Sequence, residues 1–331
     1  MAAMNSQFER YRPLPSERRT LPRGGAWPSL PIGRWRDTYQ TLHLYAQIVG
    51  KIQLALTPKT NQWWNVPFFL GPRGMRTSSI SYPSSGGVDH TFEIAFDFVR
   101  HELEVSDHEG RVRTLAFVPA LPVAEFYREL HRILLGLGIE IHIDPRPCEI
   151  PMATPFSHDT GHRTYLADDA GAFFQVLRRV HPVFENFRAR FRGKCSPVQF
   201  FWGNFDLAVT RFNGWRVPAP AGSTILRDRY DEELISLGFW PGDAWSAHRD
   251  DREPMDAMFY SSTVPAPAGI ARQPILPEGA HYREDRKEFV LPYERIRATP
   301  DPAHAILQFA ESTYDAGASL AGWNRDTLAY P

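Results

Sequence analysis

Four side chains in this sequence have types and positions suited to acid, base or nucleophilic chemistry: His43, Lys51, Lys194 and Asp206. A histidine can transfer protons near neutral pH, and a buried lysine can bind an anionic group or form a Schiff base. A carboxylate in an aromatic sheet needs a partner, because an unpaired buried charge is very costly. We take these four as the candidate catalytic residues.

Each candidate also has a structural alternative. His43 would hydrogen-bond within a helix–sheet interface, and the two lysines would extend from strand ends to water. Asp206 would either form a structural ion pair or anchor the polar part of a ligand, and the sequence leaves both roles open. Cys195 is expected to be a buried structural thiol, because no helix N-terminus follows it to lower its pKa.

Asp206 lies in the densest apolar stretch of the chain, residues 195–212. The pair Gly203-Asn204 predicts a β-hairpin with a two-residue turn, in which Phe201 faces Asp206. Because strand side chains alternate, one face is apolar and is predicted to be core: Val198, Phe200, Trp202, Phe205, Leu207 and Val209. The other face mixes polar and aromatic groups: Cys195, Gln199, Phe201, Asp206 and Thr210. Such a mixed face is typical of the wall of a small-molecule cavity.

The candidate ligand-binding residues are aromatic and polar side chains on this hairpin and on the strands expected beside it. They are Trp63, Trp64, Asn65, Gln199, Phe201, Trp202, Arg211 and Trp240. Arg211 falls on the alternation face opposite Asp206, so a direct pair between them would need a twist or bulge.

No metal or cofactor is expected. His158 and His162 are four residues apart, which would suit a metal on one helical face. Pro155 and Gly161 favour a loop instead, and no third ligand is evident. The sequence also lacks a Walker A loop, a dinucleotide fingerprint, a Gly-x-Ser-x-Gly elbow and a His-Glu-x-x-His motif.

Hydrophobic periodicity and turn residues predict the elements that would position these groups. The predicted helices cover residues 34–49 (ended by Gly50), 123–137, 168–180, 182–191 (after a break or kink at Pro182) and 302–320. The predicted strands cover residues 51–56, 63–70, 75–80, 91–99, 103–106, 111–117, 139–143, 232–239, 255–263 and 286–291, besides the hairpin. The expected fold class is α+β, with antiparallel sheets covered by helices.

The chain is expected to divide into a flexible tail (residues 1–26) and two α+β halves (residues 27–150 and 151–331) packed as one globular unit. Both halves run helix, Gly-Lys, several strands, helix, with the Gly-Lys pairs at Gly50-Lys51 and Gly193-Lys194. We therefore consider an internal duplication, against a single sheet with coincidental Gly-Lys pairs.

Composition narrows the classes of partner. The net charge is -1 and the pI is about 6.9, so nothing favours a nucleic-acid partner. Two cysteines give no disulfide framework, and no apolar stretch approaches a membrane span. We expect a cytoplasmic protein without a membrane partner. The 9 Trp and 22 Phe indicate a densely packed or cavity-lined interior.

Residues 193–212, which run Gly-Lys-Cys-Ser-Pro-Val-Gln-Phe-Phe-Trp-Gly-Asn-Phe-Asp-Leu-Ala-Val-Thr-Arg-Phe, resemble a bacterial family of unknown function. The resemblance extends from about Trp27 to Trp323 and includes residues 41–51, 63–67, 92–98 and 238–242. It implies no activity. Many members of that family carry His where this chain has Gln199, and this departure argues against a metal ligand or essential base at that position.

Taken together, these features predict a protein that binds a small organic molecule in an aromatic-walled cavity. Acid/base chemistry without a tightly bound cofactor would suit the candidate residues. The alternative is a non-catalytic interaction or scaffold protein, in which the aromatic residues are ordinary core and exposed Trp240 and Trp245 mark a partner surface. The oligomeric state is left open.

Overall fold

The computed structural model describes residues 26–83, 89–150, 153–218, 224–245 and 255–329, and it confirms the α+β class. The predicted tail lies outside these residues, apart from Ala26. The helices of the described residues are α1 Ile32–Leu56, α2 Val123–Gly136, α3 Ala167–Ala189, α4 Thr224–Arg229, α5 Tyr293–Arg297, α6 Pro302–Leu320 and α7 Arg325–Leu328. Three short 3-10 helices cover Asn61–Trp63, Phe156–His158 and Ile270–Arg272.

The strands form two antiparallel sheets, one in each half of the chain. The first sheet contains β1 Phe69–Leu70, β2 Gly74–Arg76, β3 Ile80–Pro83, β4 Asp89–Asp97, β5 Glu102–Asp107 and β6 Val112–Ala116. The second contains β7 Gln199–Phe201, β8 Asp206–Arg216, β9 Glu232–Trp240, β10 Met258–Val264, β11 His281–Arg283 and β12 Glu288–Pro292. Their orders are β1-β2-β4-β5-β6, with β3 also on β4, and β11-β12-β10-β9-β8-β7.

The two sheets join at Phe68, just before β1, and Phe200 of β7. Each backbone nitrogen donates to the other residue's carbonyl oxygen, at 2.8 and 2.7 Å. The first strands of the two halves are therefore antiparallel neighbours. At the far edges the orders differ, because β12 lies between β10 and β11 whereas β5 and β6 keep their chain order. The duplication of the halves stays a prediction.

Gly50 does not end the first helix, and the strand predicted at residues 51–56 is wrong. Helix α1 continues to Leu56, and the indole ring of Trp202 packs directly on Gly50, where a Cβ atom would overlap the ring. Here the glycine permits a close approach inside a helix. The parallel between the two Gly-Lys pairs is lost as well, since only Gly193-Lys194 lies outside a helix.

Of the break or kink predicted at Pro182, the break is wrong, because α3 is continuous across the proline. Val180, Val183 and Phe184 are buried on both sides of the proline, and this packing outweighs the lost backbone hydrogen bond. Among the described residues no strand forms at 139–143, and the strand predicted at 63–70 is confirmed only at its end, by the bridge residue Phe68 and β1.

The hairpin register is confirmed, with Gln199, Phe200 and Phe201 paired to Ala208, Leu207 and Asp206. The predicted two-residue turn is wrong, because residues 202–205 form a four-residue turn in which the Phe205 N–H donates to the Phe201 carbonyl oxygen at 2.8 Å. Its predicted apolar face is buried throughout: Val198, Phe200, Trp202, Phe205, Leu207 and Val209. The predicted final helix matches α6. The strands predicted at 91–99, 103–106, 111–117, 232–239, 255–263 and 286–291 correspond to β4, β5, β6, β9, β10 and β12.

Buried apolar side chains from both halves form one contiguous core. Helices α3 and α6 pack on one face of the second sheet, against β8, β9 and β10. The opposite face of the same strands is thereby left for polar groups. No helix among the described residues has the length and apolar character needed to cross a bilayer.

Candidate functional site

The polar face of the second sheet is the floor of a cavity of about 220 Å³. Pairing of Ser236 with Ser262, and of Gly238 with Tyr260, places small and polar residues side by side across β9 and β10. The floor residues are Asp206, Ser236, Trp240, Tyr260, Ser262 and Glu288. The walls combine residues of both halves: Tyr39, His43, Glu149, Gly203, Asn204, Arg229, Tyr230, Asp243, Trp245 and Arg286.

Asp206 is the most deeply buried acid of the cavity, with 1% of its surface exposed. The Tyr260 hydroxyl donates a hydrogen bond to its Oδ2 atom. The other carboxyl oxygen, Oδ1, is buried and has no hydrogen-bond partner among the described residues. Gly238 makes this arrangement possible, because the Tyr260 ring crosses it where a Cβ atom would overlap the ring.

Burial raises the pKa of Asp206 to about 6, although the Arg229 charge and the Tyr260 hydrogen bond act in the opposite direction. The Glu149 and Glu288 carboxylates raise this pKa further. A carboxyl group with such a pKa exchanges its proton near neutral pH, as a general acid or base must. Burial, followed by the charge of Asp206, raises the pKa of Tyr260 well above its usual value, so Tyr260 stays a donor.

His43 lines the cavity, but it does not donate a hydrogen bond to Asp206. Trp245 Nε1 donates to His43 Nδ1 at 3.0 Å, and His43 Nε2 lies 2.9 Å from the Gly203 carbonyl oxygen. This network assigns the ring proton to Nε2. His43 therefore connects α1 to the hairpin turn and to Trp245, with both ring nitrogens engaged.

The two candidate lysines lie outside the cavity. The Lys51 ammonium is 3.5 Å from Asp144, and it does not reach Asp206. The Lys194 ammonium is 2.7 Å from Glu232 and lies over the ring of Phe212. Both lysines therefore form ion pairs outside the cavity, Lys51 from within α1 and Lys194 from the loop before β7.

A second cavity, of about 100 Å³, adjoins the first and is mainly apolar. It contains three of the predicted ligand-binding residues, Trp63, Phe201 and Trp202. The Trp202 indole donates to the Val66 carbonyl oxygen at 2.9 Å, which fixes the ring between the hairpin and α1. Trp240, a fourth predicted residue, lies in the polar cavity.

Trp64, Asn65 and Gln199 line neither cavity. The Trp64 ring packs edge-on against Phe212. Asn65 closes a turn, since its amide nitrogen donates to Thr57 Oγ1 at 2.9 Å. Gln199 is fully buried, and its side-chain amide has no hydrogen-bond partner within the described chain.

Arg211 also lies away from both cavities, on the face of β8 that meets α3 and α6. Its guanidinium carbon is 3.4 Å from the Phe187 ring centroid and 4.3 Å from that of Tyr314. A nitrogen of the same group is 3.7 Å from the Glu311 carboxylate. The predicted separation of Arg211 from Asp206 is therefore observed, and Arg211 binds two helices to the sheet.

The histidine pair at 158 and 162 is not arranged for a metal. His158 is exposed, while His162 Nδ1 is 2.7 Å from the Asp159 carboxylate in a loop, as the flanking residues predicted. Among the described residues, His90, His108 and Glu109 have ligand atoms within 4.8 Å of one another. They lie at the surface of the first sheet, outside the residues that line the cavities.

Neither cysteine has the properties of a nucleophile. Burial raises the pKa of both Cys148 and Cys195 to about 11, which leaves almost no thiolate near neutral pH.

Two expectations about exposed tryptophans are wrong. Trp245 is buried and Trp240 is half-buried, because both rings line the polar cavity. The partner surface predicted from their exposure is therefore not present at these rings.

Most of the acidic, basic and tyrosine groups of the cavity were not predicted from the sequence: Tyr39, Glu149, Arg229, Tyr230, Asp243, Tyr260, Arg286 and Glu288. A signal existed in β9, where Ser236 and Gly238 alternate with the apolar residues Ile235, Leu237 and Phe239. Alternation of this kind marks one wet or ligand-facing side of a sheet.

A family model described as a family of unknown function (DUF5996) matches residues 27–330. This range agrees with the resemblance noted in the sequence. No curated protein and no solved structure matches the chain.

Proposed function

We propose a function for this chain, a member of the DUF5996 family of unknown function, from the geometry of its polar cavity. The protein binds a small polar organic molecule in the cavity above β8, β9, β10 and β12, and Asp206 is its anchor and acid/base group. The observation that carries this proposal is a buried carboxylate in the wall of a cavity, with one oxygen held by Tyr260 and the other lacking a partner among the described residues.

An unpartnered buried oxygen is costly to stability, so a fold that keeps one is expected to gain from it elsewhere. Ligand binding would be that gain, because a donor group of the ligand would supply the hydrogen bond that Asp206 Oδ1 lacks. The cavity volume of about 220 Å³ is below the roughly 300–1,000 Å³ of pockets for drug-sized ligands. The ligand is therefore small.

The acid/base role follows from the same environment. A pKa of about 6 means that Asp206 is present in both protonation states near neutral pH. The hydrogen bond from Tyr260 fixes the orientation of the Asp206 carboxyl group and so the position of its other oxygen. General acid/base catalysis requires such a fixed position. A tightly bound cofactor is not part of the proposal.

The test is a thermal-shift screen of small amines, acids, alcohols and sugars against the wild type and Ser262→Phe. The added ring would occupy the cavity floor, so ligands that stabilise the wild type should lose binding. Ser81→Phe is the matched control, because Ser81 is exposed on β3 of the other sheet. NMR then tests whether the wild type converts each hit into a product. Asp206→Asn is expected to abolish this conversion.

Hits that bind Ser262→Phe as well as the wild type would overturn the cavity as the binding site. A screen without any hit would also count against the proposal. If Ser262→Phe loses binding but the wild type converts none of the hits, the cavity is a binding site and the acid/base role is wrong.

A further inference from the structure

The polar and apolar cavities share one wall, formed by Glu149, Gly203, Asn204 and Arg229. With the Asn204 amide nitrogen turned to the Glu149 carboxylate, its oxygen accepts from Arg229 Nη1 at 3.1 Å. Glu149 and Asn204 are exposed residues, and Gly203 has no side chain. The partition is therefore made mostly of side chains that can change rotamer without disturbing the core.

The two cavities differ in chemistry. Among the described residues that line the polar one, four carboxylates (Glu149, Asp206, Asp243 and Glu288) face two guanidinium groups (Arg229 and Arg286), a formal excess of two negative charges. Arg286 already pairs with Glu288. Tyrosine and tryptophan rings complete the lining, and aromatic faces attract cations. The polar cavity therefore favours a positively charged group.

The adjoining cavity favours an apolar group. Leu54, Trp63, Val66, Phe201 and Trp202 are among the residues that line it. Its volume of about 100 Å³ is smaller than the roughly 150 Å³ of an engineered cavity that holds benzene. A branched aliphatic group is a better match to this space than an aromatic ring.

We propose that the ligand is a small amphipathic amine, with its ammonium group at Asp206 and a branched aliphatic group in the apolar cavity. This proposal rests on the proposed function and names the class of molecule that the site takes. The ammonium group would give Asp206 Oδ1 the hydrogen bond that it lacks, and the aliphatic group would displace the Glu149–Asn204 contact at the shared wall.

The charge on the ligand sets the direction of the pH dependence. The groups that act on Asp206 are Tyr260 from β10, Arg229 from α4, Glu288 from β12 and Glu149. An ammonium group prefers the ionised carboxylate, whereas a ligand that accepts a hydrogen bond prefers the protonated one. Affinity for an amine should fall about tenfold for each pH unit below about 6, and level off above it.

The probes are four simple compounds: isoamylamine, isoamyl alcohol, isocaproate and ethylamine. Indole N–H signals report binding by NMR, assigned by single Trp→Phe variants. Trp240 and Trp245 report on the polar cavity, and Trp63 and Trp202 on the apolar one. Isoamylamine should shift both sets and bind about tenfold or more tightly than the alcohol or the acid. Ethylamine should shift only the polar set and bind about tenfold more weakly.

Two variants with controls localise the effects. Asp206→Asn should remove the preference for the amine over the alcohol. Leu54→Trp should fill the apolar cavity and reduce isoamylamine to the affinity of ethylamine. Leu135→Trp, at an exposed position of α2, is the matched control and should leave every affinity unchanged.

Equal or tighter binding of isocaproate or isoamyl alcohol, or the absence of shifts at Trp63 and Trp202, would overturn this inference. So would failure of isoamylamine to bind at all. If screening nevertheless finds anionic or neutral ligands that Ser262→Phe excludes, the proposed function stands and only the amphipathic amine falls. If hits are indifferent to Ser262→Phe, the cavity itself is not the site.

Discussion

The indole ring of Trp202 lies on Gly50 of α1 so closely that no side chain fits between them. Replacing a helical glycine by alanine normally stabilises a protein by about 1 kcal/mol. Gly50→Ala should do the reverse and lower the free energy of unfolding by about 1–3 kcal/mol, because the methyl group forces the hairpin away from the helix. Urea unfolding followed by tryptophan fluorescence measures the difference.

Gly171→Ala in α3 is the control, because a Cβ atom there would have nothing within 4 Å. This variant should be about 1 kcal/mol more stable than the wild type. If both glycine variants were stabilised equally, the contact of Trp202 with α1 would be looser than described.

The same contact explains which parts of the fold were predictable from sequence. The hairpin faces were predicted correctly because alternation is a local property, and one face of Phe200, Leu207 and Val209 can only be core. The helix end at Gly50 and the separation of α3 into two helices at Pro182 were predicted wrongly, because tertiary packing decided both. Local propensity does not include a contact between residues 202 and 50, because they are distant in sequence.

The candidate site was predictable to a similar extent. Asp206 was singled out because a carboxylate in an aromatic sheet needs an explanation. Its true partner Tyr260 was missed, because the contact depends on Gly238 in the strand between them. Lys51 and Lys194 were included through a Gly-Lys parallel that the folded chain does not keep.

Arg211 should matter for stability rather than for ligand binding. Its guanidinium group is packed on Phe187 and Tyr314 and pairs with Glu311. Arg211→Met should lower the free energy of unfolding by about 2–4 kcal/mol, since the cation–π contacts and the buried ion pair are lost. The affinity for ligands of the cavity should not change.

The control for Arg211 is Arg190→Met, which removes the exposed second partner of Glu311. A surface ion pair of this kind contributes about 1 kcal/mol or less. Weaker ligand binding by Arg211→Met at unchanged stability would instead restore Arg211 as a ligand-binding residue.

Tyr260→Phe tests how the carboxyl group of Asp206 is held. The Tyr260 hydroxyl stabilises the ionised carboxylate by a hydrogen bond, so its removal should raise the pKa of Asp206 above about 6. The measurement is a pH titration of the Asp206 carboxyl carbon by NMR, with the signal identified by its absence in Asp206→Asn. An unchanged midpoint would mean that the hydroxyl does not stabilise the charge.

Asp206 itself should cost the protein stability at neutral and alkaline pH. The folded state has a pKa of about 6, above the ordinary 3.8, so the folded state binds this proton more tightly than the unfolded chain does. The free energy of unfolding therefore falls as pH rises from about 4 to about 6, and stays lower above that range. The pKa difference corresponds to about 3 kcal/mol.

Asp206→Asn keeps the shape and removes the charge. The variant should be more stable than the wild type by up to about 3 kcal/mol at about pH 8, and equal to it at about pH 4. Asp37→Asn, at an exposed position of α1, should show no such divergence. Urea unfolding of all three proteins across this range supplies the comparison, and ligand affinity is measured on the same samples.

Greater stability with weaker binding is the behaviour of a charge retained for function. A variant that is less stable at about pH 8 and binds as before would make Asp206 part of a stabilising ion pair with Arg229, and the carboxylate would then belong to the scaffold.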